Sequence, residues 1–135
     1  MSPVVWVVVA ATLVRAALAV VLPLGIDEAY MVAAGRHLSW SYYDHPPLAW
    51  WLARGAAWLG GSEAPIVVRA PFIALGAVSL LLMARLTAPY GERASFWAVL
   101  AMALAPVLSL SGGSWVLPDG PMLCALLGFA LCLCR

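Results

Sequence analysis

Apolar residues fall along the chain in four long blocks. The first, Pro3 to Leu24, carries one charge, Arg15; the second runs from Ile66 to Leu86 and the third from Ala94 to Leu110. The fourth follows a Leu117-Pro118-Asp119-Gly120-Pro121 corner and is still apolar at Arg135. Such blocks approach or exceed the roughly 17–25 residues with which a helix crosses about 30 Å of hydrocarbon. The pattern predicts four transmembrane helices, with turns at Ala88 to Arg93 and at Gly112-Gly113. The first block lacks a basic leader and is long for a signal peptide, so it is expected to be an uncleaved span.

Between the first two blocks, Gly25 to Pro65 mixes charges with aromatics. Asp27 to Leu38 is expected to be a short helix capped by Asp27, with Glu28 at the positive end of its dipole. A second short helix is expected to start at Pro47. In it Leu48, Trp51, Leu52, Gly55, Trp58 and Leu59 share one stripe with Arg54 at its edge, as in helices that lie along the membrane interface. The fold class predicted is therefore all-α integral membrane, with about four spans plus two interfacial helices in the first loop.

Composition agrees with that reading. The 135 residues are 65% hydrophobic and 10% charged, with a mean hydropathy of +1.00, too little polar surface for a soluble globule. Seven arginines against six acids, a formal charge of +1, give no basic footprint for nucleic acid. Cys124, Cys132 and Cys134 lie in the last block without a nearby His, so they are read as small packing residues, neither metal ligands nor a disulfide framework. Arg15, costing about 2.5–3.5 kcal/mol if left in lipid, has to face protein, water or a lipid phosphate.

Counting crossings puts Asp27, Glu28, Asp44, His45 and Asp119 on one membrane face. Arginine counting does not orient them, because Arg36, Arg54 and Arg69 on that side balance Arg85, Arg93 and Arg135 on the other. Arg36, His37, Arg54 and Arg69 are expected to meet lipid headgroups, and Tyr42, Tyr43 and the tryptophans to anchor the interface. A carboxylate to take a hydroxyl proton, beside something positive for a departing phosphate, suits glycosyl transfer from a lipid phosphate.

The strings Gly25-Ile26-Asp27-Glu28-Ala29-Tyr30, Tyr42-Tyr43-Asp44-His45-Pro46-Pro47-Leu48 and Leu117-Pro118-Asp119-Gly120-Pro121 resemble the N-terminal signature of GT-C membrane glycosyltransferases. More narrowly they are similar to glycosyltransferase family 39, the protein O-mannosyltransferases and aminoarabinose transferases. The resemblance implies Asp27 as catalytic base with Glu28 as its partner, Asp44 near a divalent metal cation, His45 near the donor phosphate, and Asp119 shaping the same cavity. It implies a polyprenyl-phosphate sugar as donor and a bacterial inner membrane with these loops extracytoplasmic; a direct displacement by the acceptor hydroxyl would invert the anomeric carbon. Membrane lipids and the lipid-linked donor are the implied partners, and nucleic acid is not one. Leu117 stands where many relatives have Thr. Relatives are several hundred residues long, so residues 1–135 are expected to be the N-terminal part of one membrane domain, inactive alone.

Two other classes fit the pattern less well. One is a small non-enzymatic membrane protein that binds a lipid carrier or serves as a complex subunit, which a stable purified four-span protein would favour. A transporter would place its acids inside broken spans, whereas here they cluster in loops.

Overall fold

Prolines and glycines set the helix ends. The computed structural model describes residues 2–134; Arg135, counted above with Arg85 and Arg93, lies outside them. Helix α1 (Pro3–Val21) begins with Pro3 in its first turn, where a missing N–H is tolerated, and ends at an extended Leu22 because Pro23 follows. Helix α2 (Ile26–Ala34) stops at Gly35, short of the Leu38 expected. There the chain folds around Tyr42, whose hydroxyl donates to the His37 carbonyl and accepts from the Ser39 N–H. Helix α3 (Leu48–Gly60) closes on Gly61 at φ +63°, a left-handed position that favours glycine. Helix α4 (Pro65–Thr87) runs through a 3₁₀ turn (Ala88–Tyr90) to Gly91 at φ +96°.

The third apolar block is not one helix. Helix α5 (Glu92–Leu104) ends at an extended Ala105, and α6 (Pro106–Leu110) restarts on Pro106. The ring of Pro106 drives Ala105 out of the helical region and removes the N–H that would continue the ladder. A run of turns over residues 111–114 then leads to α7 (Asp119–Leu133). No strand occurs among the described residues.

Among the described residues two helices are long and apolar enough to cross a membrane: α1, and α4 with its 3₁₀ extension. Helix α7 is apolar but has 15 residues. Helix α1 is built inside out relative to a soluble helix: Leu13 and Val14 are 64% and 58% exposed while the adjacent Arg15 is 2% exposed. Such an arrangement is stable where the surroundings are hydrocarbon. The finding also answers where Arg15 points: it faces protein.

Helix α4 is the axis, touching α1, α3, α5 and α7. Its buried side carries Val68 and Phe72, then Gly76 and Ser79, then Leu80. Val68 and Phe72 belong to a core with Met31, Val32, Ala49, Trp50, Ala53, Ala57 and Val116, which docks α2 and α3 onto the end of the bundle. Leu80 belongs to a second core with Val8, Val99, Met102 and Leu127 among α1, α4, α5 and α7.

Helix α3 packs through Ala49, Ala53 and Ala57, spaced one turn apart, together with Trp50. Its larger apolar stripe, with Leu48, Trp58 and Leu59, is left exposed, as an interfacial helix requires. Trp50 is no interfacial anchor: it is 0% exposed and stacked under Tyr42 at 4.0 Å between ring centroids. Burial of that indole keeps α3 on the bundle. Cys124 is half-buried, but Cys132 and Cys134 are exposed rather than packed.

Replacing Trp50 with Ala should therefore lower the stability of the α2–α3 cap by about 3–5 kcal/mol. Thermal unfolding in detergent, followed by near-ultraviolet circular dichroism, measures it; an unchanged midpoint would show that Trp50 does not anchor α3.

Candidate active site

Helix α2 organises the polar face. Its cap is Gly25, not Asp27, and since glycine has no side chain to satisfy the helix end, Glu28 at the third helical position does so, accepting the Gly25 N–H at 2.9 Å. Asp27 and Glu28 are neighbours about 100° apart around the helix and meet opposite surroundings. Glu28 is 2% exposed; Asp27 is exposed and has no side-chain hydrogen bond or ion pair among the described residues.

Glu28 has every site taken. Arg69 of α4 donates from Nε at 2.8 Å and from Nη2 at 2.6 Å, a two-pronged contact, and the Val116 N–H donates to Oε1 at 3.1 Å. Arg69 also donates to the Leu22 and Pro23 carbonyls at 2.9 Å, satisfying acceptors that Pro23 leaves at the end of α1. Arg69 was expected at lipid headgroups; it is 3% exposed and inside the protein, because Glu28 and two carbonyls supply the partners that bury it. Burial pushes the Glu28 carboxyl up, but Arg69 and the N–H groups of Gly25 and Val116 outweigh it and hold the carboxyl below the usual range.

Tyr30, one turn after Asp27 and on the same side of α2, donates to Asp44 Oδ1 at 3.3 Å. Asp44 Oδ2 lies 3.2 Å from His45 Nδ1. Desolvation and the Asp44 carboxylate raise the Tyr30 phenol. The His45 ring stands edge-on to Trp50 at 6.0 Å, so the Asp44-His45 pair rests on the Tyr42–Trp50 stack. Tyr42 is thus a support of the site, whereas Tyr43 is exposed as an interfacial anchor would be.

Asp119 is the first residue of α7, half-buried, at the positive end of the helix dipole. Its corner is tied to α2 through Val116, three residues earlier, by the bond to Glu28. Asp27, Asp44, His45 and Asp119 are thereby all connected to α2 or to what α2 holds. Further out, Glu63 receives Arg36 through two hydrogen bonds, at 3.0 and 2.5 Å, with Arg54 at 3.9 Å, so Arg36 and Arg54 have protein partners rather than only headgroups. The Arg36 guanidinium holds the Glu63 carboxyl down.

The residues present do not assemble a metal site: among the described residues no three His, Cys, Asp or Glu side chains converge. Asp44 and His45 offer two donors that already face each other. Sequence patterns missed Tyr30, Arg69 and the Val116 N–H. A signal for Arg69 exists, since it is the one charge in the first turns of the second apolar block. A backbone N–H leaves no trace in sequence.

A family model described as dolichyl-phosphate-mannose-protein mannosyltransferase matches residues 44–135, more than half of the chain, including Asp44, His45 and Asp119. No curated protein and no solved structure matches.

Arg69→Met strands a buried carboxylate and should cost about 3–5 kcal/mol, with the Glu28→Gln, Arg69→Met double variant losing less than the two single losses added together. Because the folded-state carboxyl of Glu28 is depressed, its contribution is full above the ordinary glutamate range, about pH 4.3, and fades as pH falls below it. Thermal midpoints from pH 7 down to pH 3 should therefore drop in the native chain more steeply than in Glu28→Gln; parallel curves would contradict the linkage.

Proposed function

Because the chain belongs to the dolichyl-phosphate-mannose-protein mannosyltransferase family, we propose that its polar face serves transfer of a sugar from a polyprenyl-phosphate carrier to an acceptor hydroxyl. Family membership makes it part of a membrane glycosyltransferase; the donor, the residue roles and the topology are our reading. In it the helices form four crossings, α5 and α6 together making the third, with α2 and α3 along the extracytoplasmic surface of a bacterial inner membrane.

The observation that carries the reading is the contrast within the Asp27-Glu28 pair. Glu28 is consumed by Arg69 and two backbone N–H groups, which leaves Asp27 the free carboxylate, on a helix fixed at its base. A base has to be accessible to substrate and held in place, and Asp27 meets both conditions.

Asp27 takes the proton from the acceptor hydroxyl as its oxygen attacks the anomeric carbon. The bond from that carbon to the phosphate oxygen breaks, the polyprenyl phosphate leaves as an anion, and the anomeric centre inverts. Asp44, held by Tyr30, orients His45 toward the departing phosphate, and Asp119 closes the pocket from the α7 side. Glu28 acts as a positioning residue, keeping α2 and the Asp119 corner in register. No step is routed through a metal ion.

Asp27→Asn in the active enzyme should lower turnover at least about 100-fold without affecting membrane insertion. Transfer of radiolabelled sugar from a polyprenyl-phosphate donor measures it, and turnover within a few-fold of the native enzyme would remove Asp27 from the mechanism. Tyr30→Phe, which frees Asp44, should slow transfer about tenfold while leaving the stability within about 0.5 kcal/mol; unchanged transfer would show that Asp44 needs no such support.

A further inference from the structure

Arg15 has no role in the reaction above, yet it is a charged side chain buried inside the bundle at 2% exposure. Its guanidinium is enclosed, and among the described residues its one hydrogen bond runs from Nη2 to the Ser109 hydroxyl at 3.3 Å. Nε and Nη1 are buried without a partner, and no acid pairs with Arg15 among the described residues. Two glycines make room for it: a Cβ at Gly113 would lie 2.7 Å from Arg15 Cζ, and one at Gly76 would lie 2.8 Å from Nη1. Gly76 and Gly113 also meet backbone to backbone, so α4, the guanidinium and the turn form one packed layer.

That turn is the irregular stretch opened by the Pro106 break. Irregular backbone at membrane depth is tolerated only where protein supplies its hydrogen-bonding partners. The stretch is gripped at one end by Arg15 at Ser109 and Gly113, and at the other by Glu28 at Val116. Asp119 follows directly. An ionised side chain kept inside a membrane bundle at such cost marks function by default.

We propose that Arg15 is a positioning residue for the Asp119 corner, its guanidinium packed against Gly76 and Gly113 and its Nη2 donating to Ser109, so that it holds the 109–114 stretch from the side opposite Glu28. The proposal rests on the reading of Asp119 as a pocket residue, and its structural half stands without that reading. Lysine carries the charge and can donate to Ser109 but lacks the planar body that packs against Gly76 and Gly113, so Arg15→Lys restores part of the function. Arg15→Met fills similar space and restores none.

The test uses the chain in lipid nanodiscs with its three cysteines changed to alanine and spin labels at Leu59 and Leu117, or at Leu59 and Trp97 as a control pair away from the turn. Electron–electron distance measurements should show the 59–117 distribution broadening at least about twofold in Arg15→Met and less in Arg15→Lys, with the 59–97 distribution unchanged. If both pairs broaden alike, Arg15 is a general stability residue; if neither changes, the turn holds without it; either result overturns the proposal. In the active enzyme Arg15→Met should lower kcat about tenfold with KM for the lipid donor within twofold, and add nothing to Asp119→Asn. Additive losses would overturn the link to Asp119. Should Asp27→Asn leave turnover intact, the reaction reading fails while the distance result still decides the role of Arg15 in the turn.

Discussion

The buried pair of Glu28 and Arg69 is the constraint on which the rest depends. It joins four segments: the end of α1 through two carbonyls, the start of α2 through the Gly25 N–H, the body of α4, and the approach to α7 through Val116. Burying two charges is costly, and a buried pair often contributes little net stability. What it contributes here is geometry, because each group finds all its partners only when those segments are in register. That is also why Glu28, rather than its neighbour, has no capacity left for a substrate.

Charge and greasy surface are sorted accordingly. The bundle turns apolar side chains outward on α1 and keeps Arg15 inside, while α2 and α3 cover its end through the Trp50 core. Along α4 the contacts pass from that core, through the Gly76 and Ser79 layer, to the Leu80 core. Every acid except Glu92, which opens α5 beyond the far end of α4, falls on the capped end. The irregular turn before Asp119 lies between the Arg15 contact and the Glu28 contact.

Much of this was legible in sequence, and the failures are specific. Mean hydropathy and block length found α1 and α4, and the Asp27-Glu28 and Tyr42 to Leu48 strings located the polar face. The family resemblance agrees with the match over residues 44–135. The third block misled because hydropathy does not register a proline: Pro106 is apolar by composition and disruptive by geometry. Arg69 misled because an arginine near the end of an apolar block fits headgroup contact as well as burial, and its partner lies forty-one residues earlier. Asp27 misled as a cap, since the helix is capped two residues earlier, at Gly25, with Glu28 supplying the acceptor. The donor groups of Val116 and Gly25 are backbone, and no pattern of side chains announces them.

The central claim is that Asp27, Asp44 and Asp119 open onto one aqueous compartment around α2. Single cysteines at these three positions, in a cysteine-free chain inserted with one orientation into sealed vesicles, can be challenged with a membrane-impermeant thiol reagent from either side. All three should react from the same side and none from the other. Reaction of position 27 and position 119 from opposite sides would contradict it.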